Sequence, residues 1–162
     1  MTGPTAVSTS ITVEAPVERA FSVFTEDMAS WWPADHHIIG VPLATMVFEP
    51  KAGGDVYDVG EDGSRCRWAR VLTYEPPTRV VFSWDISLQW QVETDPTRAS
   101  EVEVRFVPEG DTRTRVELEH RHLERHGDGW EGMRDAVGST GGWNGVLGHL
   151  VARLQQAPAV GS

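Results

Sequence analysis

Between Thr45 and His120 the chain alternates apolar and polar residues with period two, whereas both ends carry apolar residues at helical spacing. Period two sends successive side chains to opposite faces of a strand, while spacings of three and four gather them on one helix face. Val47 and Phe48 mark one strand. Val56 to Val59 mark another, set off by Lys51-Ala-Gly-Gly54 and Gly60-Glu-Asp-Gly63, whose glycines suit turns or bulges. Arg65 to Tyr74 is a longer strand closed by Glu75-Pro-Pro77. The clearest alternation follows, with Val80, Phe82, Trp84, Ile86, Leu88 and Trp90 on one face and Arg79, Ser83, Asp85 and Gln89 opposite. It predicts a strand, or two joined by a bulge, with one dry face.

Val102, Val104 and Phe106, then Val116 and Leu118, predict a hairpin around Pro108-Glu-Gly-Asp111. Both apolar sets are even-numbered, so the strands must pair with an even sum. That requires a loop of three or five residues, with Gly110 at positive φ. The charges from Glu101 to Glu119 then share a solvated outer face, where they pair across strands. At the N-terminal end, Ile11 to Val13 begins a short strand, and Pro16 suits the first turn of a helix with Val17, Ala20, Phe21 and Phe24 on one face. Met28 to Trp32 adds one more turn before Pro33. Near the C-terminus, Trp130, Met133 and Val137 space a short helix. Trp143, Val146, Leu147, Leu150, Val151 and Leu154 build a long amphipathic one that ends at Pro158. The fold class is therefore α+β, a curved antiparallel sheet of about six or seven strands around a long C-terminal helix, with two short helices after the first strand.

The 162 residues suit one domain, read as 11–156 between flexible tails at 1–10 and 157–162. No run approaches the ~20 apolar residues of a membrane span, and no basic-then-apolar leader opens the chain, so the expected location is the cytoplasm. The net charge of −10 disfavours nucleic acid and anionic lipid as partners. The single cysteine, Cys66, precludes an internal disulfide or a multi-thiolate metal site. It stands between Arg65 and Arg67, a setting that lowers a thiol pKa, or is a passive strand residue. The glycines at 138, 141, 142, 145 and 148 match no phosphate-binding motif; those at 145 and 148 read as close-approach positions or as letting the helix start move.

Seven tryptophans are many for this length. Trp84, Trp90 and Trp143 are predicted on inward faces, either packing the core or lining a site. Carrying the even face past Leu118 points His120 and His122 inward, where each needs a hydrogen bond or a ligand. With Glu124 and His126 the two make a weak metal set, a polar anchor for a ligand, or strand-end histidines with backbone partners. His36 and His37 beside Asp35 read as a loop, and His149 as a surface residue. Arg70 lies on a strand that does not alternate cleanly, and facing inward it would suit a carboxylate.

Val13-Glu-Ala-Pro-Val-Glu-Arg-Ala-Phe21, Trp31-Trp-Pro33, Gly53-Gly54, Tyr74-Glu-Pro-Pro77, Val81-Phe-Ser-Trp84, Thr114-Arg-Val-Glu-Leu-Glu-His120 and Gly142-Trp143 occur in that order. Together they resemble the helix-grip (START-like, SRPBCC) superfamily, in the bacterial branch related to the activator of heat-shock-protein-90 ATPase. The Trp-Trp-Pro segment and His122-Leu-Glu-Arg-His-Gly127 also resemble proteins that protect antibiotic producers by binding their own enediyne product. The resemblance implies a cavity between sheet and C-terminal helix for an apolar or amphipathic molecule such as a lipid, polyketide or aromatic natural product. Its expected lining is Phe82, Trp84, Trp90, Val104, Phe106, Leu118, His120, His122, Trp143, Leu147 and Leu150, with Trp31 or Trp32 near the mouth. The expected role is ligand binding in stress response or self-resistance by a monomer or homodimer, with no cofactor, no metal and no catalytic residue assigned. The alternatives are a cyclase, dehydratase or hydrolase using His120 or His122, and a chaperone-interacting module. Fold alone does not decide among them.

Overall fold

The computed structural model describes residues 5–32, 38–139 and 142–155. Pro33, Asp35, His36, His37, Gly141 and Pro158 lie outside the described residues. The chain opens with β1 (Val7–Val13), α1 (Val17–Glu26) and a single 3-10 turn at Met28–Ser30. It then runs through β2 (Leu43–Phe48), β3 (Asp55–Gly60), β4 (Arg65–Glu75), β5 (Arg79–Trp84), β6 (Ser100–Pro108) and β7 (Thr114–Arg121). After a second turn at Leu123–His126 come α2 (Trp130–Val137) and α3 (Trp143–Gln155). All seven strands form one antiparallel sheet in the order β1-β7-β6-β5-β4-β3-β2. This is the α+β architecture expected from the periodicity. Among the described residues no helix is long and apolar enough to cross a membrane.

Parity fixes the register that matters most. Val104 pairs with Leu118 and Pro108 with Thr114, leaving five loop residues, and Gly110 takes φ of 126°. The Glu109 N–H donates to the Arg113 carbonyl at 2.9 Å and closes that loop. On the other side of β7, the odd residues Val7, Thr9, Ile11 and Val13 face His120, Leu118, Val116 and Thr114. One continuous inner face results, and α1 and α3 lie on it. Val146, Leu147, Leu150 and Leu154 of α3 are buried there, as are Ala20, Phe21 and Phe24 of α1. Arg153 bonds Asp27 at 2.9 Å, tying the end of α3 to the end of α1.

Three expectations are corrected, and the open question of Arg70 is answered. β1 begins at Val7, so Val7 to Ser10 belong to the sheet, because their backbone pairs with His120 to Glu117. The long alternation of β5 stops at Trp84 with only a bridge from Ile86 to Val92 beyond it. Ser87 there accepts the N–H groups of Gln89 and Gln91, and Trp90 turns to φ of 61° with its side chain exposed. A period-two pattern survives in the residues while the backbone folds back, so Trp90 is not on the inner face. Trp68 is the extra residue of a bulge against β3, which sends Arg70 to the face where Asp85 holds it through two bonds of 2.9 and 3.0 Å. His122, at φ of 61°, leaves the strand ladder and is only half-buried.

The outer face is built from charge. Glu103, 4% exposed, takes bonds from Arg105, Arg79 and Arg121. Those guanidiniums, Arg105 foremost, pull its carboxyl down from 4.5 to about 2. A depressed carboxylate contributes stability that is fully present above its unfolded pKa near 4.5 and lost as pH falls toward 2. Glu103→Gln is therefore expected to destabilise the protein at pH 7 by about 1–2 kcal/mol, after solvent screening at the half-exposed arginines. Urea unfolding should show the two proteins converging below pH 3; a constant gap would contradict this.

Candidate functional site

Hydrophobic alternation places Phe82 and Trp84 of β5 on the inner face, and Trp68 joins them from the β4 bulge. Opposite stand Trp143, the first residue of α3, and Trp32 just after the 3-10 turn. Their rings meet in a closed run: Trp32–Trp68 at 5.2 Å, Trp68–Trp84 at 5.9 Å, Trp84–Trp143 at 5.6 Å and Trp32–Trp143 at 5.9 Å between centroids. Most contacts are edge-on or tilted, the arrangement the ring quadrupoles favour. Ring against ring occupies the zone where sequence reasoning expects a gap between helix and sheet. Trp31 serves the scaffold, its indole donating to the Val23 carbonyl at 2.9 Å.

His120 enters this cluster from β7, fully buried, its ring 5.1 Å from Trp84. Trp143 Nε1 donates to His120 Nδ1 at 3.0 Å. His120 Nε2 lies 2.7 Å from Ser100 Oγ, and His126 Nε2 lies 2.7 Å from the same oxygen. Ser100 opens β6 directly opposite Trp84. Continuing the β6–β7 register one step would set His122 opposite Ser100, but His122 turns away. The 3-10 turn brings His126 back into that place, and Arg98 bonds its carbonyl at 3.0 Å. Burial, with His126 nearby, pushes His120 down from 6.5 to about 3, and burial also lowers His126. Both rings are neutral at pH 7.

Among the described residues two buried side-chain atoms lack a hydrogen-bond partner, Trp84 Nε1 and His126 Nδ1. Each belongs to this cluster. Of the other expected lining residues, Phe82, Val104, Phe106, Leu118, Leu147 and Leu150 are buried, and Phe106 is packed by Phe21 and Phe24 at 5.1 and 5.6 Å. His122, like Trp90, is outside the cluster. The set of His120, His122, Glu124 and His126 does not converge, and the described residues hold no group of three metal-ligating side chains. Cys66 is not activated: burial pushes its thiol up, and Asp58 adds to the effect. Sequence reasoning missed Ser100, although the even parity of β6 carried back to its start marks it as inward.

Trp143→Phe keeps a ring in place but leaves His120 Nδ1 buried without its donor. The expected loss is about 2 kcal/mol in urea unfolding, against less than about 0.5 kcal/mol for Trp90→Phe at the exposed turn. Because both histidines fold with lowered pKa, the stability they contribute is present above pH 6.5 and lost as pH falls toward 3, so native His120 should show no NMR titration between pH 5 and 8. Equal losses for the two variants, or a His120 midpoint near 6.5, would contradict this geometry.

A family model described as Activator of Hsp90 ATPase homolog 1-like protein matches residues 14–155. No curated protein matches the chain. Among solved structures, the anthrahydroquino-γ-pyrone synthase Txn09, complexed with SUM, is 40% identical over 93% of this chain and 96% of its own, with a TM-score of 0.66. CalC from Micromonospora echinospora, a self-sacrificing resistance protein, is 29% identical over 97% of each chain, with a TM-score of 0.68. Protein NE0264 from Nitrosomonas europaea, 15% identical over 93% of this chain and 94% of its own at a TM-score of 0.66, shares the fold. With its seven-stranded sheet, inner aromatic face and C-terminal helix, the chain belongs to the Activator of Hsp90 ATPase homolog 1-like family, on the helix-grip fold.

Proposed function

We propose that the chain binds a planar polycyclic aromatic molecule of polyketide type against the inner ring cluster, whose rings must part to admit it between the sheet and α3. The observation that carries this reading is the unpaired indole N–H of Trp84, buried among Trp68, Trp143 and His120. A buried donor left unpaired costs about 1–3 kcal/mol, and an oxygen on a bound molecule removes that cost. The neighbouring indoles and Phe82 offer ring faces and edges that suit a flat aromatic body. Burying ~200 Å² of such a ligand is worth about 5 kcal/mol before association costs, enough for useful affinity without a covalent bond. Likeness to Txn09, named an anthrahydroquino-γ-pyrone synthase, supports a polycyclic aromatic ligand.

The 40% identity to a synthase favours a second reading, in which binding leads to ring closure. His120 is ill placed to act as its base, since both of its nitrogens already hold partners. What the cluster offers instead is hydrogen-bond donation to a carbonyl oxygen, which polarises the carbon it belongs to. Resistance, the role named for CalC, would use the same site to hold a molecule rather than to make it.

Anthraquinone-2-sulfonate serves as a probe for either case. Titration should quench tryptophan fluorescence saturably at one equivalent, with Kd between about 1 and 100 μM, and Trp84→Phe should weaken binding about tenfold. Quenching without saturation, or an unchanged Kd in Trp84→Phe, would contradict the proposed site.

A further inference from the structure

The hydrogen-bond chain through His120 runs in one direction only. An indole nitrogen donates and never accepts, so Trp143 obliges His120 Nδ1 to be the bare, accepting nitrogen. A neutral imidazole carries one proton, which therefore sits on Nε2 and points to Ser100 Oγ. The Ser100 hydroxyl keeps one proton to give, and its other partner is His126 Nε2. A second donation into the same oxygen would leave that buried proton without an acceptor, so the proton goes to His126 Nε2. His126 Nε2 is then bare, and its proton is on Nδ1. That nitrogen is the second of the two buried, unpartnered atoms, on a side chain only 2% exposed.

We infer that Trp143, His120 and Ser100 lock His126 as an Nδ1–H donor, and that this donor, with Trp84 Nε1, selects ligands that present acceptor oxygens over hydrocarbons of the same shape. The inference rests on the ligand-binding reading above and narrows it to carbonyl or phenolate compounds. Both unpaired atoms are donors, so a ligand offering its own donors to this end of the cluster finds no acceptor among them. Both flank Ser100, Trp84 across the strand ladder and His126 through its hydrogen bond. His120 is a positioning residue here. It orients the ring that donates, and moves no proton itself.

The experiment pairs nitrogen-15 NMR of the imidazoles with binding of two probes alike in shape, anthraquinone-2-sulfonate and anthracene-2-sulfonate. His120 should show a protonated Nε2 and His126 a protonated Nδ1 at pH 7, and the His126 Nδ1 proton should shift when the quinone is added. The quinone should bind about tenfold tighter than the hydrocarbon. In Ser100→Ala the lock is gone, so His126 should populate both tautomers and the preference should fall to about threefold. His126→Leu should abolish the His126 share of the preference. Should that variant fail to fold, the wild-type tautomers and Ser100→Ala still decide. A protonated Nε2 on His126 would overturn the inference, as would equal affinity for the two probes, or an Nδ1 proton that ignores the quinone and is held by water alone. Equal affinity leaves the ligand-binding reading standing; binding of neither probe removes that reading and the inference together.

Discussion

One hydrogen bond organises the inner face: the indole N–H of Trp143 meeting Nδ1 of His120. It joins the first residue of α3 to β7, across the apolar layer, at a depth where a missing partner would cost more than the bond itself contributes. Because the donor has no alternative role, the bond also dictates the tautomer of His120 and, through Ser100, that of His126. Helix position and proton position are thus set by the same contact. The surrounding indoles keep water away and hold His120 neutral, which in turn keeps Nδ1 able to accept. Loss of that neutrality would break the link from the inside.

The two faces of the sheet divide the labour. On the outer face, three arginines converge on Glu103, and charged partners line β6 and β7. This arrangement answers to pH and salt, and it specifies strand pairing without any need for an apolar cover. On the inner face, a run of rings extends from Tyr74 through Phe21, Phe106, Phe24 and Phe82 to the four tryptophans. At the Tyr74 end it is plain core. At the other end polar atoms enter the rings, two of them without partners, the feature on which the proposed ligand site rests.

Much of this was legible in the residues. Parity alone gave the β6–β7 pairing an even sum and narrowed the loop to three or five residues, because a slip of one position would have exposed Val102, Val104 and Phe106 together. The inward placement of Trp84 and His120 followed from the same parity, and that of Trp143 from the helical spacing of α3. Trp90 and His122 escaped it because alternation in composition does not report where a backbone leaves the ladder, and both sit at left-handed φ where the pattern still looked intact. His126 was invisible to periodicity, since it returns to the sheet from a 3-10 turn. Ser100 is a different case. Its parity matched Val102, but a serine at a strand start looks generic until the two histidines beside it are in view. Arg70 stayed ambiguous for a physical reason, the bulge at Trp68 that shifts the face of the residues after it until a second irregularity between Val71 and Thr73.

The most direct measurement is a crystal structure of the protein with anthraquinone-2-sulfonate bound. The account predicts the ring system lying against Trp84 and Trp143, with one quinone oxygen within about 3 Å of Trp84 Nε1 and the Trp143–His120 bond intact. A quinone seated on the arginine-rich outer face, or stacked only on exposed Trp90, would contradict it.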